Sequence, residues 1–119
     1  MKKDNLIKNK SFDFAIRIVN LSKLIAQREK EFIISKQLIR SGTSIGALIR
    51  EAEHAESRAD FIHKLSISLK EANETEYWID ILFKTNYISI QEYESIQADI
   101  KEILKLLISI LKKLKEKRD

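Results

Sequence analysis

The chain has no cysteine, no proline and only two glycines among its 119 residues. Without cysteine there is no disulfide scaffold and no cysteine-ligated zinc site. Two glycines and no proline cannot supply the tight turns that a β-sandwich or barrel of this length needs, because these residues set the backbone angles of most such turns. No stretch reaches the roughly 18 apolar residues of a membrane-spanning helix. The basic opening, Met1 to Lys10, is not followed by the uncharged apolar run of a secretory signal. The cytoplasm is therefore the expected compartment, and no membrane partner is expected. A phosphate-cradling loop is also missing, since neither glycine leads into a Lys-Ser/Thr ending. What is present is 44% hydrophobic and 34% charged, a balance suited to amphipathic helices. The length predicts a single all-α domain over residues 1–119. Twenty-two basic residues against 18 acidic ones give a net charge of +4, which permits an anionic partner without singling one out.

Apolar recurrence at helical spacing predicts four helices. The first runs from about Ser11, a plausible N-cap, to Ala26, after a short N-terminal arm in which Leu6 and Ile7 could cover apolar surface. It carries two apolar stripes: Phe14, Ile18, Leu21 and Ile25, and Phe12, Ala15, Val19 and Ala26. A helix on the outside of a bundle needs only one, so the second hints at self-association. The second helix spans about Glu31 to Glu53 and holds both glycines, Gly42 and Gly46, amid Ser41, Thr43, Ser44 and Ala47. Each glycine costs about 1 kcal/mol relative to alanine in a helix interior. Either a neighbouring helix approaches closely there, or the helix kinks and Ser44 recaps the next turn.

Ser57-Arg58-Ala59-Asp60 resembles a capping box and opens a third helix to about Thr85. Its seam reads Ile62, Leu65, Leu69, Ala72, Glu76, Ile79 and Phe83, which places one carboxylate on an otherwise apolar line. Glu76 there could reach a buried partner, fix helix register or sit at an interface edge. Asn86 is a stop and Ser89 a new cap. The fourth helix, about Ile90 to Lys117, repeats Tyr93, Ile96, Ile100, Ile103, Leu107, Ile110 and Leu114 at alternating spacings of three and four. Its end reads in isolation like a cationic membrane binder, but a bundle seam flanked by Leu104 and Leu111 explains the same residues. Short polar connections predict an antiparallel up-down-up-down four-helix bundle ending in a frayed basic tail, Lys112 to Asp119.

Glu51-x-x-His54 and Asp60-x-x-His63 have the spacing of di-iron ligands. Both lie beside a connecting loop, where helix-end solvation or local pairing is the alternative, and no metal or other cofactor is expected. Neither histidine has a serine or aspartate partner identifiable from sequence, so no enzyme is expected. The candidate phosphate contacts are Lys36 and Arg40 on one helical face, Arg50, Arg58 and Lys64 near the opposite end, and Lys112, Lys113, Lys115, Lys117 and Arg118 in the tail. Interspersed glutamates make an ordinary solvated face the competing explanation. Tyr77, Trp78 and Tyr87 could stack on unpaired bases or pack a core.

Arg40-Ser41-Gly42-Thr43-Ser44-Ile45-Gly46-Ala47-Leu48-Ile49-Arg50-Glu51-Ala52, then Ser57 to Ile62, Glu71 to Glu76 and Asn86-Tyr87-Ile88-Ser89, resemble in order the bacterial bundle family encoded in intervening sequences of large-subunit ribosomal RNA. The chain departs from that pattern at Leu48, commonly Asn, and at Ala52, Gly in one branch. The resemblance implies a small homo-oligomer, a five-fold ring, without enzymatic activity. It also implies kinship with retroelement accessory proteins that bind nucleic acid and a reverse transcriptase. The expected partners are therefore further copies of the chain and RNA or an RNA-protein complex, the alternative being a scaffold that holds another protein.

Overall fold

The computed structural model describes residues 2–116. It contains four helices and, among these residues, no strand: α1 (Lys2–Glu29), α2 (Ile33–Ala52), α3 (Arg58–Lys84) and α4 (Ile90–Glu116). Each helix packs on two others, in the cycle α1 to α2 to α3 to α4 and back to α1.

The contacts in each pair run with opposed numbering. Between α1 and α2, Lys8 meets Glu53, Ser11 faces Gly46 and Ile18 faces Gly42. Between α2 and α3, Ser41 meets Thr75, Ile45 meets Ser68 and Glu51 meets Lys64. From α3 to α4 the pairs are Arg58 with Leu114, Glu76 with Gln97 and Asp80 with Tyr93. From α4 to α1 they are Glu92 with Arg28, Asp99 with Arg17 and Glu102 with Lys10. Sequence reasoning missed these last three ion pairs, because their partners lie far apart in the chain.

The first helix begins nine residues before its expected cap. Ser11 is buried, and its hydroxyl donates back to the Lys8 carbonyl inside a continuous helix. Leu6 and Ile7 therefore belong to α1, and Ile7 is part of the core rather than of an arm. A further correction concerns the start of α2, at Ile33 rather than Glu31. The Glu31 carboxylate accepts from the backbone N–H groups of Ile33, Ile34 and Ser35, satisfying donors that a helix start leaves unpaired. Lys30, in the left-handed region at φ 57°, turns the chain between the two helices.

The other boundaries follow the expected caps. Ser57 accepts from the Asp60 N–H, and Asn86 adopts φ 67° at the end of α3. Ser89 and Glu92 exchange backbone-to-side-chain hydrogen bonds at the start of α4. The segment Lys112 to Glu116, expected as a frayed tail, is helical. Lys117 and Arg118 lie outside the described residues.

One stripe of α1, with Phe14, Ile18 and Ile25, enters the core; Phe12 of the second stripe faces outward with Ile16. Opposite them α4 buries Ile96, Ile100, Ile103, Leu107 and Ile110, together with Leu104 and Leu111. Each fully buried aliphatic side chain is worth about 1.5–3 kcal/mol. The α3 seam follows expectation at Leu65, Ala72 and Ile79, which are buried, but its buried line also includes Ser68, Thr75 and Leu82, while Ile62, Leu69 and Phe83 are half-buried. Small residues win those positions because α2 comes close. Ser68 donates to the Ile45 carbonyl and Thr75 to the Ser41 hydroxyl, which removes the cost of burying them. Ser44 donates to the Arg40 carbonyl within an uninterrupted helix, so the small-residue cluster serves close approach and not a recapped kink.

Candidate nucleic-acid interface

The helix order gathers most of the candidate cations at one end of the molecule. Arg50 ends α2, Arg58 and Lys64 begin α3, and Lys112, Lys113 and Lys115 lie in the last turns of α4. Arg58 ties these elements together by donating to the Leu114 carbonyl. Lys36 and Arg40, in the first half of α2, lie apart from this group.

Within the set, the cations differ in how free they are. Arg40 is committed: its guanidinium donates to Gln37, Glu71 and Glu74 across the α2–α3 groove. The Trp78 indole N–H donates to the same Glu74 at 3.0 Å. That indole bond and then Arg40 hold the Glu74 carboxyl below its ordinary value of 4.5, and the Glu74 hydrogen bond raises Arg40 in turn. Lys64 is paired with Glu51 at 3.2 Å. Lys36, Lys112, Lys113 and Lys115 are exposed and make no ion pair among the described residues. Arg50 is exposed, its guanidinium 5.0 Å from the centre of the Phe12 ring.

The paired histidine motifs do not converge. Glu51 is held by Lys64, Asp60 accepts from the Glu56 N–H at the α3 cap, and both histidines are exposed. No group of three or more His, Cys, Asp or Glu among the described residues could hold a metal. Glu76 sits at the edge of the α3–α4 groove, accepting from Gln97 and paired with Lys101 at 3.5 Å. Of the aromatics, Tyr77 is exposed and packs edge-on against Trp78, whereas Trp78 and Tyr87 are half-buried against the core. No helix of the described residues is long and apolar enough to cross a membrane.

The ion pairs predict the acid limb of stability. Glu74 and Glu92 both titrate below 4.5, Glu92 because Arg28 donates to it. A carboxyl depressed in the folded state stabilises above its unfolded value, and that contribution disappears as pH falls through the folded value. A melting temperature flat from about pH 8 to 5 and falling below about pH 4 is the expected result in a series of thermal melts. Glu74→Gln should flatten part of that fall.

The model of the family described as 23S rRNA-intervening sequence protein matches residues 3–109. No curated protein matches the chain. A solved structure from Bacteroides thetaiotaomicron, described as a protein with unknown function from the S23 ribosomal protein family, is 64% identical, with a TM-score of 0.91 over 92% of this chain and 98% of that one. With the match running through all four helices, the chain belongs to the 23S rRNA-intervening sequence protein family.

Proposed function

We propose that the chain is a non-catalytic, self-associating RNA-binding protein of the cytoplasm, built as one antiparallel up-down-up-down bundle. The opposed numbering of contacts in all four helix pairs supports that arrangement. Phosphates are read by Lys112, Lys113 and Lys115, with Arg58 beside them. The observation that carries this reading is selective freedom: the α4 lysines cluster at one end without ion pairs, while Arg40 and Lys64 are closed by glutamates. Self-association multiplies the cluster by the number of copies, so three lysines per chain become a patch of useful avidity. The family resemblance points to a ring of five. The description of the Bacteroides relative as an S23 ribosomal family protein agrees with an RNA partner.

A labelled structured RNA titrated against wild type and the triple variant Lys112→Glu/Lys113→Glu/Lys115→Glu tests the reading. The triple variant should bind at least about ten-fold more weakly at physiological salt, with its helical signal intact. Lys36→Glu should change affinity less than two-fold. Equal affinity of wild type and triple variant would remove the α4 lysines from the site.

The alternative, a protein-binding scaffold, draws on a different observation: Phe12 and Ile16 on α1, and Phe32 and Ile33 where the chain enters α2, are exposed apolar residues. A protein that remains bound to the chain after nuclease treatment would favour it.

A further inference from the structure

We propose that the RNA partner is double-stranded and that its phosphates are read by a straight stripe along α4, running from Lys115 back to Lys105. This inference names the ligand of the site proposed above and rests on that reading. At 3.6 residues per turn, Lys101, Lys105, Ile108, Lys112 and Lys115 fall within an arc of about 80°, and all five are exposed. The arc points away from the buried line of Ile100, Ile103, Leu107 and Ile110. From Lys105 to Lys115 it covers about 15 Å of helix.

The carboxylates that would repel an anion along this line are closed by the neighbouring helices. Glu102 is the sole acidic residue between Lys101 and Lys115, and Lys10 of α1 holds it in an ion pair. One turn earlier, Arg17 of α1 holds Asp99. On the other flank Glu76 of α3 accepts from Gln97 and pairs with Lys101 at 3.5 Å. Lys105 is therefore the first free cation of the stripe, with no ion pair among the described residues. Glu116, just past the end of the stripe, has no such partner either.

The placement of the aromatic side chains decides between a duplex and a single strand. Proteins that hold single strands combine a cationic groove with aromatic rings on which unpaired bases stack. Here the rings stand elsewhere. The exposed Tyr77 follows Glu76, whose partner Gln97 lies about 22 Å along α4 from Lys112. Phe12 belongs to the flank of α1 that meets α2, with the Arg50 guanidinium 5.0 Å from its ring centre. Phe61, in the first turn of α3, is half-buried against the core. With cations alone, attraction follows phosphate density, and a duplex carries roughly twice the charge of one strand over the same length. Contact to phosphate also carries no sequence information, so binding is indifferent to base order.

Fluorescence anisotropy on the full chain tests this with two labelled probes, a mixed-sequence RNA duplex of about 20 base pairs and an oligouridylate of the same length, which does not pair with itself. The duplex is expected to bind at least about ten-fold more tightly at physiological salt, and a second duplex of shuffled sequence within about two-fold of the first. Lys105→Glu, at an exposed position, should weaken duplex binding about five-fold with unchanged helical circular dichroism, whereas Lys36→Glu, the same change of charge on α2, should weaken it less than about two-fold. Oligouridylate bound as tightly as the duplex, with both weakened in the triple α4 variant, would overturn the duplex while leaving the RNA-binding reading standing. Lys105→Glu with wild-type affinity would confine the contact to the last turns and overturn the stripe. Absence of binding to either probe would overturn this inference together with the reading on which it rests.

Discussion

Phe14→Ala is expected to lower the unfolding free energy by about 3–5 kcal/mol, the usual range for an aromatic removed from a core. Phe14 is 1% exposed and projects from the stripe of α1 that enters the core. Beside it is the groove shared with Ile103 and the ion-paired α1–α4 flank. Of the residues that line this groove, Ile103 is β-branched and Lys10, Asp99 and Glu102 are held by ion pairs, so the site collapses little and the cavity cost adds to the lost burial. For a chain of this size the melting temperature should fall by on the order of 10–20 °C. Phe12→Ala, two residues away on the outward stripe, should change the stability of the isolated chain by less than about 1 kcal/mol. Similar losses for the two variants in chemical denaturation would contradict the division of α1 into an inner and an outer face.

Gly42→Leu is expected to be the other severe substitution, at about 3 kcal/mol or more. A Cβ at Gly42 would lie 2.8, 3.0 and 3.3 Å from Cγ2, Cγ1 and Cβ of Ile18. Ile18 is fully buried, and its branched side chain has essentially one rotamer in a helix. The backbones must therefore separate to admit any side chain. Gly42→Ala should cost less, because the crowding is offset by about 1 kcal/mol of helix propensity. Gly46→Ala meets Ser11 atoms at 3.3–3.4 Å and should stay within about 1 kcal/mol of wild type. Pairing Gly42→Ala with Ile18→Ala, which removes the Cγ1 and Cγ2 atoms nearest the new methyl, tests the cause: a double-mutant cycle should return a favourable coupling above about 0.5 kcal/mol. Strict additivity would mean that Gly42 is present for some reason other than room for Ile18.

The four helices were legible because apolar spacing and caps agree: Ser57, Asn86 and Ser89 act as their residue types predict. Ser11 misled because a serine ahead of an apolar run is an N-cap only if the preceding residues leave the helix. Here Leu6 and Ile7 continue it, and Ile7 reaches the core. Glu31 was read as the first residue of α2, but its side chain supplies the cap from outside the helix. On α3 the three-four line through Glu76 named Leu65, Ala72 and Ile79, which are buried, but missed Ser68, Thr75 and Leu82 on the adjoining edge. The helix rotates so that Ser68 and Thr75 face the small patch of α2, a choice fixed by its neighbour's close approach and not by hydrophobicity.

The candidate interface was legible as residue types and not as an arrangement. That Arg58 would join the end of α4 follows from helix direction, whereas the closure of Arg40 by Glu71 and Glu74 depends on partners more than thirty residues away. The placement of Arg50 over the Phe12 ring left no local signal at all, since Phe12 is thirty-eight positions distant.

The salt dependence of RNA binding tests the central claim most directly. Fluorescence anisotropy of a structured RNA between about 50 and 300 mM salt should give a log–log slope of about −3 or steeper, because three lysines per copy each displace a counterion from a phosphate. The slope should become shallower in the triple α4 variant. A slope near zero, or no binding at the lowest salt, would contradict phosphate recognition by the α4 end.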